Sequence, residues 1–215
     1  GLANEDYKIA NRIDTKYLIG SVSKQFTAAV TLKLQELKLL NVKDKISKHL
    51  ANTPEEWSEI TIHQLLTHTS GLIRDVPLAT NNYQVYHSLE QLFESIKLVP
   101  LRKDYPKIKY SYSNAGYSLL ADRIERIGSS YFPNDMASQL YKSLNLNDSG
   151  VYHSSQIVSN WATPYNKSKG VLYNSCCFDH SNLYGAGSSY SSTSDLSKWI
   201  DANLSFVFGL SLIHI

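Results

Sequence analysis

The sequence predicts an α+β domain in which helices predominate. Several segments have the apolar spacing or the end signals of helices, while the stretch 151–187 is rich in Ser, Asn, Tyr and Gly, a composition typical of loops and short strands. Strand signal elsewhere is scarce. With 215 residues, 42% of them hydrophobic, the chain is long enough to form one domain with a sizeable core.

The first predicted helix covers 21–40, where apolar residues from Phe26 onward fall close to helical spacing. Thr61 and Gln64 form a capping box that opens a short second helix. We expect that helix to end within 68–71, with Gly71 as a left-handed C-cap.

Four more helices are predicted further along the chain. They cover 88–98, 115–128 and 136–144, and the last begins at a cap formed by Ser194 and Asp195. Pro100 and Pro106 bracket the loop that follows the first of these helices.

Composition excludes several classes of function. A net charge of +2 is too small to indicate nucleic acid or an anionic membrane as a partner, and no apolar run is long enough for a membrane span. Cys176 and Cys177 are adjacent, which gives neither a disulfide framework nor metal-ligand spacing. We therefore predict no metal and no cofactor.

Both ends of the chain suggest a fragment. The chain begins at Gly1 without an initiator Met, and its last six letters, LSLIHI, match the in-frame translation of a sequencing-library adapter. We therefore expect residues 1–209 to be an incomplete domain and residues 210–215 to be a non-native tail.

Ser21 and Lys24 form the first candidate site. A serine hydroxyl is a weak nucleophile until a neighbouring group accepts its proton and a positive field stabilises the oxygen. Residues three apart lie on one face of a helix, so Lys24 can reach Ser21. The same spacing also fits an N-cap serine followed by a solvated lysine, and the motif alone leaves both interpretations open.

Tyr112 and Asn114 form the second candidate site, in a loop just ahead of a predicted helix. A phenol whose pKa is depressed by a nearby cation can act as a general base, and Lys24 could be that cation. An amide such as Asn114 can orient a substrate. The alternative is that Asn114 is an ordinary N-cap and Tyr112 a packing residue.

Three strings taken together resemble the serine β-lactamase-related superfamily, and most closely its class C β-lactamases, D,D-carboxypeptidases and related esterases. They read IGSVSKQFTA, LLTHTSG and YSNAGY, starting at Ile19, Leu65 and Tyr112. Their order and spacing agree with that family, and 195–199 is a weaker further match. The resemblance implies a β-lactamase/transpeptidase-like fold, here mostly its helical part, with most of the antiparallel sheet missing at both ends.

The resemblance also implies roles for the candidate residues. Ser21 would be the acylated nucleophile, Lys24 would share its proton, and Tyr112 would be the general base or proton relay. Asn114 would contact the substrate and Lys24, and the backbone N–H of Ser21 would be one oxyanion donor. The expected function is acyl transfer by a serine hydrolase on a β-lactam, a D-alanyl peptide or a small ester.

A sensor or scaffold of the same fold, acylated without turnover, is the alternative function. In either case the partner is a small molecule or a peptide. The resemblance alone favours a location outside the cytoplasm, whether periplasmic, extracellular or membrane-anchored. The sequence gives no prediction of oligomeric state.

The histidines near the second string are not expected to be catalytic. In the resembling family the segment containing His68 shapes a turn, so we expect a structural role for it. His63 lies five residues from His68, which is not the spacing of a helical zinc pair.

The chain departs from the family pattern at three places. First, nothing fills the place of the family's Lys/His-Thr/Ser-Gly triplet, because His214 lies in the suspect tail. Second, Lys107 follows Pro106 where the family usually has Gly. Third, Ser188 stands where the family usually has a second Gly. The triplet supplies the second oxyanion donor. We therefore expect the chain as given to hydrolyse chromogenic β-lactams or p-nitrophenyl esters no faster than a Ser21→Ala variant.

Overall fold

Three small antiparallel sheets appear in the computed structural model, which describes residues 1–78, 84–105, 110–175 and 178–205. In the first sheet β1 (Leu2–Asn4) pairs with β2 (Ile9–Ala10). In the second, β7 (Ser189–Ser192) lies between β3 (Lys16–Leu18) and β4 (Gly150–Val151). The third is a hairpin of β5 (Tyr165–Ser168) and β6 (Val171–Asn174).

Helices make up most of the regular structure in the described residues, as the sequence predicts. They are α1 (Ser23–Glu36), α2 (Ile62–Leu66), α3 (Leu89–Lys97), α4 (Asn114–Gly128), α5 (Phe132–Met136) and α6 (Thr193–Leu204). The α+β class is thereby confirmed.

The structure does not support the alternative N-cap interpretations of Ser21 and Asn114. Ser21 lies in a 3-10 turn, Gly20–Val22, that leads into α1, and the N-cap of α1 is Val22, which makes no side-chain cap bond. The cap of α4 is Ser113, whose hydroxyl accepts a hydrogen bond from the Gly116 amide at 2.9 Å. Neither Ser21 nor Asn114 is therefore occupied by capping a helix.

The first two helices end differently from the prediction. α1 stops at Glu36, short of residue 40. The residue with left-handed backbone after α2 is His68 (φ 58°), whereas Gly71 (φ 75°) lies further along the turn. The chain turns at His68 because the amide of Thr69 bonds back to the carbonyl of Gln64 at 2.9 Å and closes the helix.

Two later helices begin earlier than predicted. α5 starts at Phe132 because the fixed φ of Pro133 suits a first helical turn, and it continues as a wide π-helical turn, Ala137–Tyr141. α6 is capped by Ser192, whose hydroxyl accepts from the amide of Asp195 at 3.2 Å. The capping box of Thr61 and Gln64 is present as predicted.

The core surrounds α1 and α4, which pack against each other. Phe26 of α1 is fully buried, and its ring lies 4.5 Å from that of Trp199 on α6. Two buried hydrogen bonds then fix the start of α1 to the first residue of β7 and to the segment before it. The Thr27 hydroxyl donates to the Gly185 carbonyl at 2.9 Å, and the Ser189 amide donates to the Ser23 hydroxyl at 3.0 Å.

Within the described residues, no helix combines the length and apolarity needed to cross a bilayer. Across the same residues, no group of three or more His, Cys, Asp or Glu side chains is placed to hold a metal ion. The predictions for Cys176, Cys177, Pro106, Lys107 and the tail 210–215 concern residues outside the described part of the chain.

Candidate active site

Ser21 lies where the 3-10 turn meets α1, and two side chains reach its hydroxyl. The Tyr112 hydroxyl donates to Ser21 Oγ at 2.7 Å, and Lys24 Nζ donates to it at 3.3 Å. Gly20 has a left-handed φ of 52°, which lets the chain leave β3 and turn directly into α1. The structure thus brings the first and second candidate sites together.

Lys24 is buried, with 6% of its surface exposed, and its ammonium group is fully engaged. Besides Ser21, it donates to Asn114 Oδ1 and to the Ala186 carbonyl, each at 2.7 Å. An ammonium group has three donors, and all three are therefore used. Burial lowers the pKa of Lys24, and its interaction with Tyr112 offsets only part of that effect.

Two tyrosines lie beside Lys24, and Tyr112 is the one whose pKa is lowered. Burial raises the pKa of Tyr112, but its interactions with Lys24 and Ser21 and the nearby charge of Arg74 outweigh burial and lower the pKa below the ordinary value. Tyr117 also faces Lys24, yet burial raises its pKa to about 12 and its hydroxyl donates to the Leu66 carbonyl. Of these two tyrosines, Tyr112 is the one that combines contact with Ser21 and a lowered pKa.

Asn114 links the cluster around Ser21 to the loop after α2. Its amide oxygen accepts from Lys24, while its Nδ2 donates to Asp75 Oδ1 at 2.6 Å. Its backbone N–H donates to the Arg74 carbonyl at 2.6 Å. Sequence reasoning missed Asp75 and Arg74, because no motif surrounds them and only the fold carries this loop to the start of α4.

His68 supports Tyr112 from behind. The two rings are 4.5 Å apart, and His68 Nδ1 accepts a hydrogen bond from the Ser113 amide at 3.1 Å. Burial, together with the nearby charge of Lys24, lowers the pKa of His68, which favours the neutral ring that this hydrogen bond requires. These contacts hold Tyr112 in place and agree with the structural role expected for His68.

Gly185 explains how a backbone carbonyl reaches the buried ammonium group. It has a φ of 77°, and a Cβ at this position would overlap the carbonyl oxygen of Tyr117. A glycine therefore lets the segment before β7 pass close to α4. The next carbonyl, that of Ala186, can then accept from Lys24.

A cavity of about 340 Å³ lies beside Asn114. Its walls are mostly apolar, with amide groups and one carboxylate. The lining residues are Asp75, Val76, Asn114, Phe178, Asn182 and Leu183. A cavity of this size and character suits a small acyl group.

The fold around this site is the β-lactamase/transpeptidase-like fold. The structure of a D-amino acid amidase from Ochrobactrum anthropi SV3 matches 97% of this chain and 62% of its own, with a TM-score of 0.83 and 19% identity. A penicillin-binding protein from Bacillus halodurans matches 97% of this chain and 65% of its own, with a TM-score of 0.81 and 24% identity. At these identities the likeness concerns the fold.

Residues 1–211 match the Beta-lactamase family, and the chain belongs to that family. It is 27% identical to a putative penicillin-binding protein, PbpX, of Bacillus subtilis (strain 168), over 94% of this chain and 50% of that protein. It is also 27% identical to a teichoic acid D-alanine hydrolase of Staphylococcus aureus, over 93% of this chain and 49% of that protein. The chain thus spans about half the length of these curated relatives.

Proposed function

We propose that this chain carries the nucleophile and the general base of a serine hydrolase that works through an acyl-enzyme. The main support is the 2.7 Å contact between Ser21 Oγ and the Tyr112 hydroxyl, made beside the buried ammonium group of Lys24. Membership of the Beta-lactamase family and the hydrolase relative support the same reaction class.

Acylation begins with the proton of Ser21. When Tyr112 is ionised, its phenolate accepts that proton, and Ser21 Oγ attacks the carbonyl carbon of the substrate. The charge of Lys24, 4.7 Å from the Tyr112 ring centre, stabilises the phenolate before transfer. Tyr112 then gives the proton to the departing oxygen or nitrogen, and the acyl group stays on Ser21.

Deacylation reverses these roles. Tyr112, ionised again, accepts a proton from a water molecule whose oxygen attacks the acyl carbonyl. The bond to Ser21 Oγ breaks, and Tyr112 returns the proton to that oxygen. The products are a carboxylic acid and the original site.

We further propose a D-amino acyl ester or amide as the substrate, ahead of a β-lactam or a simple ester. A free α-ammonium group on the acyl part would face the carboxylate of Asp75, which is half-exposed at the cavity beside Asn114. Relatives named for D-alanine hydrolysis and for D-amino acid amidase activity support this class.

The test uses the longest reading frame that contains residues 1–209, with D-alanine p-nitroanilide and its L-enantiomer as substrates. We expect faster release from the D-form, no release in Ser21→Ala, and a higher KM for the D-form in Asp75→Asn. A lasting mass adduct on Ser21 without release would favour the sensor alternative. Equal rates for both enantiomers, with Asp75→Asn unchanged, would overturn the substrate class but leave the acyl-enzyme.

The 215-residue chain by itself is predicted to turn over no faster than its Ser21→Ala variant. Within the described residues, no strand beside Ser21 carries the Lys/His-Thr/Ser-Gly triplet that supplies a second oxyanion donor in the family. Loss of one such donor typically costs about 2.7–4 kcal/mol of transition-state stabilisation. Robust Ser21-dependent turnover of a p-nitrophenyl ester by this chain would contradict the prediction.

A further inference from the structure

A second cavity, of about 460 Å³, lies between the C-terminal end of α1, the segment 38–49 and α4. It shares no lining residue with the cavity beside Asn114 or with the Ser21 cluster. Its walls are polar and carry several charged side chains. The lining residues are Gln35, Lys38, Leu39, Leu40, Asn41, Asp44, Lys48, His49 and Arg123.

Arg123 is the unusual member of this cavity. Its Nε is fully buried without a hydrogen-bond partner, and its guanidinium forms no ion pair with any residue in the described ranges. Arg126, one turn later on α4, forms a 2.7 Å salt bridge with Asp122. Burial lowers the pKa of Arg123 more than the nearby charges of Asp122 and Asp44 raise it, and a guanidinium stays charged at any ordinary pH. A partly buried charge of this kind calls for an anion.

The other lining charges add to this excess. Lys38 and Lys48 line the cavity, and Asp44 is the only carboxylate among its described lining residues. The oxygens of Asp44 are already engaged, because Lys48 lies 2.9 Å and His49 2.8 Å from them. Burial lowers the pKa of His49, which favours its neutral form. Three cations thus face one occupied carboxylate, leaving two positive charges in excess.

We propose that this cavity binds the phosphate group of a small phosphomonoester. The planar fork of a guanidinium matches phosphate oxygens, and two lysines at the rim supply further charge. A dianionic phosphate balances the excess of two charges. The cavity is also several times larger than a phosphate ion, so it has room for the organic part of an ester.

The experiment titrates the 215-residue chain with glycerol 3-phosphate, inorganic phosphate and dimethyl phosphate at constant ionic strength. Binding is followed by amide chemical shifts and by the melting temperature. We expect saturable shifts around 38–49 and 123, a raised melting temperature, and weaker binding of the singly charged dimethyl phosphate. Glycerol 3-phosphate should bind at least as tightly as inorganic phosphate.

Variants make the proposal specific to this cavity. Arg123→Gln should weaken binding at least about tenfold, the loss expected for a charge-assisted hydrogen bond. Lys38→Gln, at an exposed side chain that the fold does not need, should weaken it by a smaller factor. Lys43→Gln removes the same charge from a neighbouring residue that does not line the cavity, and it should bind like the wild type.

Several results would overturn the proposal. They are unsaturable shifts, equal affinity in the wild type, Arg123→Gln and Lys38→Gln, or a loss in Lys43→Gln as large as in Arg123→Gln. Binding of inorganic phosphate without binding of glycerol 3-phosphate would also overturn it, because the cavity would then be closed to esters. The binding readout is independent of the hydrolase reaction, so either proposal can fail alone.

Discussion

Lys24 and Arg123 are both cations withdrawn from solvent, but the regions around them differ. All three donors of Lys24 meet oxygen acceptors, on Ser21, Asn114 and Ala186. The Nε of Arg123 is buried and has no hydrogen-bond partner within the part of the chain that the structure describes. A buried cation whose donors are all paired has its desolvation cost compensated by the protein itself, whereas a buried donor without a partner carries that cost uncompensated.

The paired cation also organises the fold. The acceptors of Lys24 come from the start of α1, the start of α4 and the segment before β7, so one ammonium group fixes the mutual positions of three segments. Preorganised charge of this type accelerates a reaction because no reorganisation is needed when the transition state forms.

The largest expected effect comes from removing the paired cation. Lys24→Met deletes the charge that stabilises the Tyr112 phenolate, so the rate at which a fluorophosphonate labels Ser21 should fall at least about 10²-fold. Intact-protein mass spectrometry of the 215-residue chain measures this rate. Lys142→Met, at an exposed lysine, is the control and should label like the wild type. A fall of less than tenfold in Lys24→Met would show that the ammonium group does not activate Ser21.

The next effect concerns the carbonyl that accepts from Lys24. Gly185→Ala would force a Cβ into the Tyr117 carbonyl at a left-handed φ, and should lower the free energy of unfolding by about 2–4 kcal/mol. It should also slow Ser21 labelling, because the Ala186 carbonyl would shift. Gly170 has a φ of 83° but open space around its Cβ position, so Gly170→Ala should lose only about 1 kcal/mol. Urea denaturation measures the free energy of unfolding of both variants. An equal decrease in Gly185→Ala and Gly170→Ala would show that overlap with the Tyr117 carbonyl does not destabilise the fold.

The residues that cluster around Ser21 could be found from the sequence because they lie in short strings with a recognisable order. Ser21 and Lys24 are one helical turn apart, and Tyr112 with Asn114 lies just before a helix. Sequence reasoning could not find Asp75, Arg74 or Ala186. Asp75 and Arg74 reach the site through the path of a loop, and Ala186 contributes only its backbone carbonyl. Neither feature produces a recognisable pattern of residue types in the sequence.

Helix existence was also more predictable than helix ends. The apolar spacing that predicts α3 and α4 reflects the buried face of each helix. The ends depend instead on local hydrogen bonds that several neighbouring residues could make. Ser113 caps α4 in place of Asn114 because its hydroxyl is the one aligned with the Gly116 amide, and the Asn114 side chain turns to Lys24.

Removing the charge of Arg123 should change the free energy of unfolding by a smaller amount, and in the opposite direction. In phosphate-free buffer, Arg123→Met removes a partly buried charge that has no partner, so it should leave the free energy of unfolding unchanged or raise it by about 1 kcal/mol. Arg126→Met, one turn away, leaves the buried Asp122 without its salt bridge and should lower that energy by about 1–3 kcal/mol. Urea denaturation measures both. A loss in Arg123→Met as large as in Arg126→Met would show that Arg123 is paired within the protein.

The smallest effect tests how the charges around Tyr112 set its pKa. The guanidinium of Arg74 lies 5.1 Å from the Tyr112 ring centre, and its charge joins that of Lys24 in lowering the pKa of Tyr112 against the effect of burial. The reactive form is the phenolate, so the labelling rate rises as pH increases through that pKa. Arg74→Gln raises the pKa, and the rise should therefore move to higher pH.

The shift should be less than about one pH unit, because Arg74 is 69% exposed and its charge is screened by solvent. The rate of Ser21 labelling, measured from pH 6 to 10, gives the midpoint. Lys103→Gln, which removes an equal charge from an exposed lysine elsewhere, should leave it in place. A midpoint that stays fixed in Arg74→Gln, or moves to lower pH, would mean that the charge of Arg74 does not help to lower the pKa of Tyr112.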